Sequence, residues 1–211
     1  MIHWHDYLEI FIAIIVIVDP LGAIPIFVGL TAGQSENERA HTARVAVFSM
    51  TILLVVATLV GKSLLRLFGI SIESFQVGGG ILLLLLAISM MNARRSPSKQ
   101  TPEEEVEAAG KENVAVVPLA VPLLAGPAAI STVIIYATQE NVTWALKAFL
   151  LLCILLVAIL VWIAFRVSIP LSRKLGQTAM NNVTRLLGLL LAAIAVEFMT
   201  TGLAKLFPGL Q

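Results

Sequence analysis

The chain has 211 residues, of which 58% are hydrophobic and 13% charged, with a mean hydropathy of +0.94 and a formal net charge of +1. That leaves too little polar surface to coat a water-soluble globule, so the composition excludes a soluble domain and points to an integral membrane protein. The near-neutral charge and the single Cys153, deep in an apolar run, give no sign of nucleic-acid binding, a disulfide framework, a thiolate metal site or thiol redox chemistry.

Six apolar stretches, at 8–30, 45–65, 72–91, 114–138, 146–169 and 183–206, are long enough to cross a hydrocarbon core of about 30 Å at about 1.5 Å per residue. Runs such as Ile81 to Ile88 and Ala148 to Ala164 lack the charged face of a soluble bundle helix. Met1 to Tyr7 carries His3, His5 and Asp6 but no Lys or Arg, and no small-x-small site follows, so the first stretch is expected to stay as a membrane helix. His3 and His5 have no third ligand in sequence, and no metal site is expected.

The first stretch is interrupted by Asp19-Pro20-Leu21-Gly22-Ala23-Ile24-Pro25. An ionised carboxylate near the centre of a span costs about 2.5–3.5 kcal/mol on insertion scales, so Asp19 needs a compensating role. Asp followed by Pro is a good helix start, because the carboxylate accepts from first-turn N–H groups and Pro at the first position loses no hydrogen bond. Two half-helices are therefore expected, with a new N-terminus at Asp19-Pro20. Pro25 removes a further backbone bond, and Gly22 allows close approach of a neighbour or ligand.

In the third stretch, Gln76 and Gly78-Gly79-Gly80 either line a site or let helices pack closely. The segment 92–113, with Arg94-Arg95-Ser96-Pro97-Ser98-Lys99 and Glu103-Glu104-Glu105, reads as a solvated linker between two halves, 1–91 and 114–211. The fourth stretch repeats the interruption at Gly126-Pro127, after Pro118 and Pro122 have loosened the entering half, with Ser131 and Thr132 one turn further on. Glu197, in the sixth stretch, is a candidate for a proton or cation path with Asp19. Trp4, Tyr7, Trp144 and Tyr136 suit the membrane interface.

Sliding the second half back by 107 residues puts Pro127 on Pro20, and a shift of 108 puts Gly188 on Gly80, Ala195 on Ala87 and Met199 on Met91. With three crossings per half, the second repeat must lie upside down relative to the first. The expected fold is an all-α membrane protein of six transmembrane helices in two inverted three-helix repeats, with the first and fourth helices broken near the midplane. Small residues such as Gly188, Ala192 and Ala195 could also pack a homo-oligomer. Of the 14 basic residues, ten (Arg39, Arg44, Arg94, Arg95, Lys99, Lys111, Arg166, Arg173, Lys174 and Arg185) fall on one side and four (Lys62, Arg66, Lys147 and Lys205) on the other. That asymmetry puts the first, third and fifth loops in the cytoplasm and both termini outside it.

Two converging half-helix N-termini form a site for an anionic group such as a carboxylate. Asp19 can then pair with an ammonium, a Na⁺ or a proton, so a zwitterionic amino acid suits both ends. The candidate substrate residues are Asp19, Pro20, Gly22, Pro25, Gly126, Pro127, Ser131 and Thr132, with Asp19 and Glu197 for a coupling H⁺ or Na⁺. No phosphate-loop, zincin or nucleophile-elbow motif is present, so neither direct use of ATP nor an enzyme is expected, and no cofactor. A non-transporting envelope partner protein is the alternative, as is an exporter of another small solute.

At these segments the chain resembles the MarC family, also classed as small neutral amino acid transporters. The similarity is carried by Asp19-Pro20-Leu21-Gly22-Ala23-Ile24-Pro25-Ile26-Phe27 and by Val117-Pro118-Leu119-Ala120-Val121-Pro122-Leu123-Leu124-Ala125-Gly126-Pro127. It implies a six-helix bacterial or archaeal inner-membrane protein, with transport of glycine and alanine attributed to some members. A distant likeness to LysE-type exporters leaves the direction of flux open.

Overall fold

A computed structural model describes residues 4–92, 115–138 and 143–207, so the 92–113 linker lies almost wholly outside the described residues. These residues are helical, and no strand occurs among them. In chain order they form α1 (Trp4–Val18), α2 (Pro20–Leu30), α3 (Glu36–Leu67), α4 (Ile72–Met91), the π-helical α5 (Ala115–Leu124), α6 (Pro127–Thr138), α7 (Trp144–Arg166) and α8 (Ser168–Leu206).

Local chemistry accounts for the helix ends. Ser35 caps α3 in a reciprocal box with Glu38: the Glu38 N–H donates to the Ser35 hydroxyl at 3.4 Å, and the Ser35 N–H donates to the Glu38 carboxylate at 2.8 Å. Gly69, at φ 67°, ends the helix, with the Ile70 N–H donating back to the Leu65 carbonyl at 2.9 Å. Ser71 caps α4 through the Ser74 N–H at 3.1 Å, and Thr143 caps α7 through the Leu146 N–H at 3.2 Å.

Five segments among the described residues are long and apolar enough to cross a membrane: Tyr7–Leu30, Glu36–Leu67, Ile72–Met91, Trp144–Arg166 and Thr178–Leu206. The fourth stretch, expected as a broken span, is divided into α5 and α6, of 10 and 12 residues. Neither piece is long enough alone. The residues between 169 and 183, expected as a loop, are helical apart from a break at Gly176, whose φ of 68° and ψ of 164° suit a residue without a side chain.

Exposed apolar residues form a belt on the outer helices. Phe48, Ile52, Val56 and Leu59 line one face of α3, and Leu152, Leu155, Leu156, Ile159 and Ile163 line one face of α7. Such a belt suits lipid, whereas in water it would be an aggregation surface. The interior is built by the two broken segments: in α6 every described residue from Ala128 to Thr138 except Ile130 is buried, as are Ile14, Val16, Ile17 and Val18 of α1. Cys153 is buried in the same core.

The helices of the two halves exchange partners. From the first half, α3 packs on α5 and α6; from the second, α7 packs on α1 and α2. Likewise α4 packs on α6 and α8 on α2, while α4 and α8 make the most extensive contact in the molecule. At that crossing a Cβ on Gly80 would lie 2.9 Å from the Ala195 carbonyl and 2.6 Å from the Met199 side chain. A Cβ on Gly188 would lie 3.0 Å from the Ala87 carbonyl and 3.2 Å from the Met91 side chain. The two glycines thus meet corresponding residues of the opposite helix, and both are required for the close approach.

Candidate functional site

The break between α1 and α2 falls where Asp and Pro adjoin. The Asp19 N–H still donates to the Ile15 carbonyl at 3.0 Å, closing α1, and the Asp19 carbonyl accepts from the Ala23 N–H at 3.1 Å, opening α2. Asp19 itself takes φ 49° and ψ 67°, the only non-glycine residue with positive φ among those described. An L-residue in the left-handed region costs about 1–2 kcal/mol, with Asp and Asn the most tolerant apart from Gly. The turn lets the carboxylate fold over the first turn of α2 and accept from the Gly22 N–H at 3.0 Å.

Asp19 is 3% exposed, and Pro20 beside it is buried. Gly22 is fixed by the same geometry: a Cβ there would collide with the Asp19 carboxylate, 2.7 Å from its Cγ. Pro25 lies inside α2 and is half-buried. The N-terminus of α2 is therefore already capped by a carboxyl group of the protein itself.

The second break has a different construction. Proline has no N–H and clashes with the carbonyl four residues back, so an entering strip with Pro118 and Pro122 does not hold a regular α-helical ladder. The backbone from Ala115 to Leu124 is π-helical instead, and the Ala125 N–H donates five residues back to the Ala120 carbonyl at 2.9 Å. Gly126 is buried, and its carbonyl accepts from the Ile130 N–H at 3.0 Å as α6 begins at Pro127. Glycine brings no side-chain oxygen to this helix start, in contrast to Asp19.

The two breaks are neighbours. Ile17 of α1 lines a narrow cleft with Leu86, Leu123, Leu124, Gly126 and Pro127, and Val18 shares a small void with Thr132. The cleft holds about 10 Å³, no more than one water.

Ser131 and Thr132 are both buried but face different neighbours. Ser131 meets Gly79 of α4, where a Cβ on the glycine would lie 3.2 Å from the serine Cβ. Thr132 faces α1 and α3, and its hydroxyl donates to the Ala128 carbonyl at 2.9 Å. Glu197 is not brought to this site: it is exposed on α8, beside the outward-facing Val196. Sequence reasoning also passed over Glu9, which lies beside the buried Tyr136. A carboxylate in the first apolar stretch was the available signal. Tyr136 packs edge-on against Phe198, with ring centroids 5.4 Å apart. Trp144 is 83% exposed. No group of three or more His, Cys, Asp or Glu side chains that could hold a metal occurs among the described residues.

The family model for the MarC family integral membrane protein matches residues 4–207. The UPF0056 membrane protein YhcE of Escherichia coli is 41% identical over 204 residues, covering 97% of this chain and 94% of its own. The UPF0056 membrane protein YvbG of Bacillus subtilis is 34% identical over 203 residues, covering 96% of each chain. A UPF0056 membrane protein of the archaeon Pyrococcus abyssi is 32% identical over 198 residues, covering 94% of each. No solved structure matches the chain.

Proposed function

The chain belongs to the MarC family of integral membrane proteins, and on that premise we propose that it is a secondary transporter of small neutral amino acids, of the glycine and alanine type. The observation that carries this reading is Asp19: a buried carboxylate, held in a left-handed turn at a helix start, two residues along the chain from Ile17, which lines a cleft with the second helix break. Broken helices that meet in the interior are the usual substrate-binding device of inverted-repeat transporters. The partner exchange between halves, and the reciprocal packing of Gly80 on Ala195 and Met199 and of Gly188 on Ala87 and Met91, support two inverted repeats. In that arrangement α5 and α6 together make the fourth of six crossings.

The chemistry divides between the breaks. The N-terminus of α2 is neutralised by Asp19, so this end suits the substrate ammonium or a coupling H⁺ or Na⁺. The N-terminus of α6 starts from glycine and suits the carboxylate. Gly126 and Ala128, which line the cleft, leave room for a small side chain once it opens. The reading assigns no enzymatic step and no cofactor. The face that carries Arg39, Arg44, Arg166 and Arg185 is taken as cytoplasmic in a bacterial or archaeal inner membrane, with both termini on the other side.

Counterflow in proteoliposomes tests this directly. Vesicles loaded with unlabelled glycine or alanine are expected to accumulate the radiolabelled amino acid saturably, while phenylalanine, too large for the site, neither exchanges nor competes. Absence of counterflow for every small neutral amino acid would remove the substrate assignment and favour a non-transporting envelope role.

A further inference from the structure

A second cavity, of about 270 Å³, opens at the end of the bundle where α3 begins, α7 ends and α8 begins. Its lining includes Glu36, Arg39, Phe165, Arg166, Ser168 and Pro170. It is separate from the helix breaks. Phe165, in its wall, stacks on Phe27 of α2, with ring centroids 4.1 Å apart and planes 6° apart.

Ser168 is the informative residue. It is 1% exposed, and its hydroxyl has no hydrogen-bond partner in the structure. A buried hydroxyl left without a partner costs about 1–3 kcal/mol. The helix that Ser168 opens also lacks a side-chain cap, since Val167 precedes it. Pro170 removes one of the first-turn donors, while the N–H groups of Ser168 and Ile169 belong to a helix start that lines the cavity.

Two guanidinium groups join this helix start. Arg39 is fixed by its Nε–H, which donates to the Thr31 hydroxyl at 3.3 Å, and by Nη2, which donates to the Thr31 carbonyl at 3.1 Å. Those bonds use two of its five N–H donors. Arg166 lies over the Trp162 ring, with its guanidinium carbon 5.8 Å from the centroid. Against these two positive charges stands the one carboxylate of Glu36. The cavity is therefore rich in donors, net positive and supplied with an orphan hydroxyl. That combination suits an anion with several acceptor oxygens.

The surroundings indicate where the anion comes from. Trp162, Ile163 and Val167, next to Arg166 and Ser168, are 39%, 44% and 40% exposed and continue the apolar belt of α7. A ligand in the cavity thus has apolar protein surface immediately beside it and charged helix ends around it, as at the headgroup level of a bilayer. We propose that this cavity is a binding site for a net-negative phosphate group, supplied by the headgroup of an anionic phospholipid whose chains lie on the α7 face. The site is independent of the transport reading.

The test uses the full chain, purified in neutral detergent, as wild type, Arg166→Gln and Ser168→Ala. Retention of lipid by native mass spectrometry and thermal melting are measured with phosphatidylglycerol, phosphatidylcholine or inorganic phosphate. Wild type is expected to retain phosphatidylglycerol in preference to phosphatidylcholine and to melt higher in its presence. Each variant is expected to bind about tenfold more weakly, a loss of one charge-assisted or hydroxyl hydrogen bond. Without lipid, Ser168→Ala is expected to melt no lower than wild type, because it deletes an unsatisfied buried hydroxyl. This variant separates loss of a ligand contact from loss of fold. Stabilisation by inorganic phosphate alone, without retained phosphatidylglycerol, would keep the anion site and move its source from lipid to solution. Equal retention of both lipids with no response to phosphate, or variants that bind as wild type, would overturn the proposal.

Discussion

Asp19→Asn is expected to yield a folded, membrane-inserted protein that has lost transport, with counterflow of glycine or alanine reduced about 100-fold, a residue of differential binding worth about 2.7 kcal/mol. The expectation rests on what the substitution keeps. Asparagine ranks with aspartate as a helix N-cap, and its side-chain oxygen can still accept from the Gly22 N–H that now lies 3.0 Å from Asp19 Oδ1. It also tolerates the φ of 49° as well as aspartate does. Only the negative charge is removed, and with it the partner for an ammonium, Na⁺ or a proton. Melting temperature and counterflow measured on the same preparation check the separation. A large fall in melting temperature would show that the charge serves the fold, and unchanged counterflow would remove Asp19 from the site.

Gly22→Ala is expected to destabilise the protein by about 1–3 kcal/mol and to abolish transport as well. The sign is the informative part. Replacing glycine by alanine inside a helix ordinarily stabilises by about 0.5–1 kcal/mol. At position 22 the new methyl would occupy the space of the Asp19 carboxylate, so either the carboxylate leaves its cap or the first turn of α2 shifts. Gly29→Ala, on the same helix with no atom within 4 Å of the added Cβ, serves as the control and should be neutral or stabilising. Paired thermal melts of the two variants give the comparison, and a Gly22→Ala protein as stable as Gly29→Ala would show that the carboxylate is not held against α2.

Both predictions concern a turn whose position was legible in the sequence and whose conformation was not. Asp-Pro within an apolar run announces a helix start, and the structure has α2 beginning at Pro20 with Asp19 as its cap. The left-handed backbone at Asp19 goes with folding the carboxyl back over the next turn onto the Gly22 N–H, a conformation that an Asp-Pro pair permits but does not announce. The third span was legible to its ends, at 72 and 91, because Ser71 caps it and the apolar run stops at Asn92. The fourth stretch was legible as broken, but hydropathy does not distinguish a continuous span from two short helices, and it carries no signature of a π-helical backbone. Glu197 shows the limit in another way. A carboxylate in an apolar stretch suggests an inward-facing charge, and only the rotation of α8, set by Gly80 and Gly188 at the crossing with α4, turns it outward.

In the proposed transport cycle the two helix breaks form a substrate site reached alternately from either side of the membrane. Ala125, 1% exposed and adjacent to Gly126, is the position to probe. In a Cys153→Ala background, Ala125→Cys would be treated with a membrane-impermeant thiol reagent in right-side-out and inside-out vesicles, with and without glycine. Modification from both sides, slowed by glycine, is the predicted result. Modification from neither side, or at rates that no small neutral amino acid alters, would contradict it.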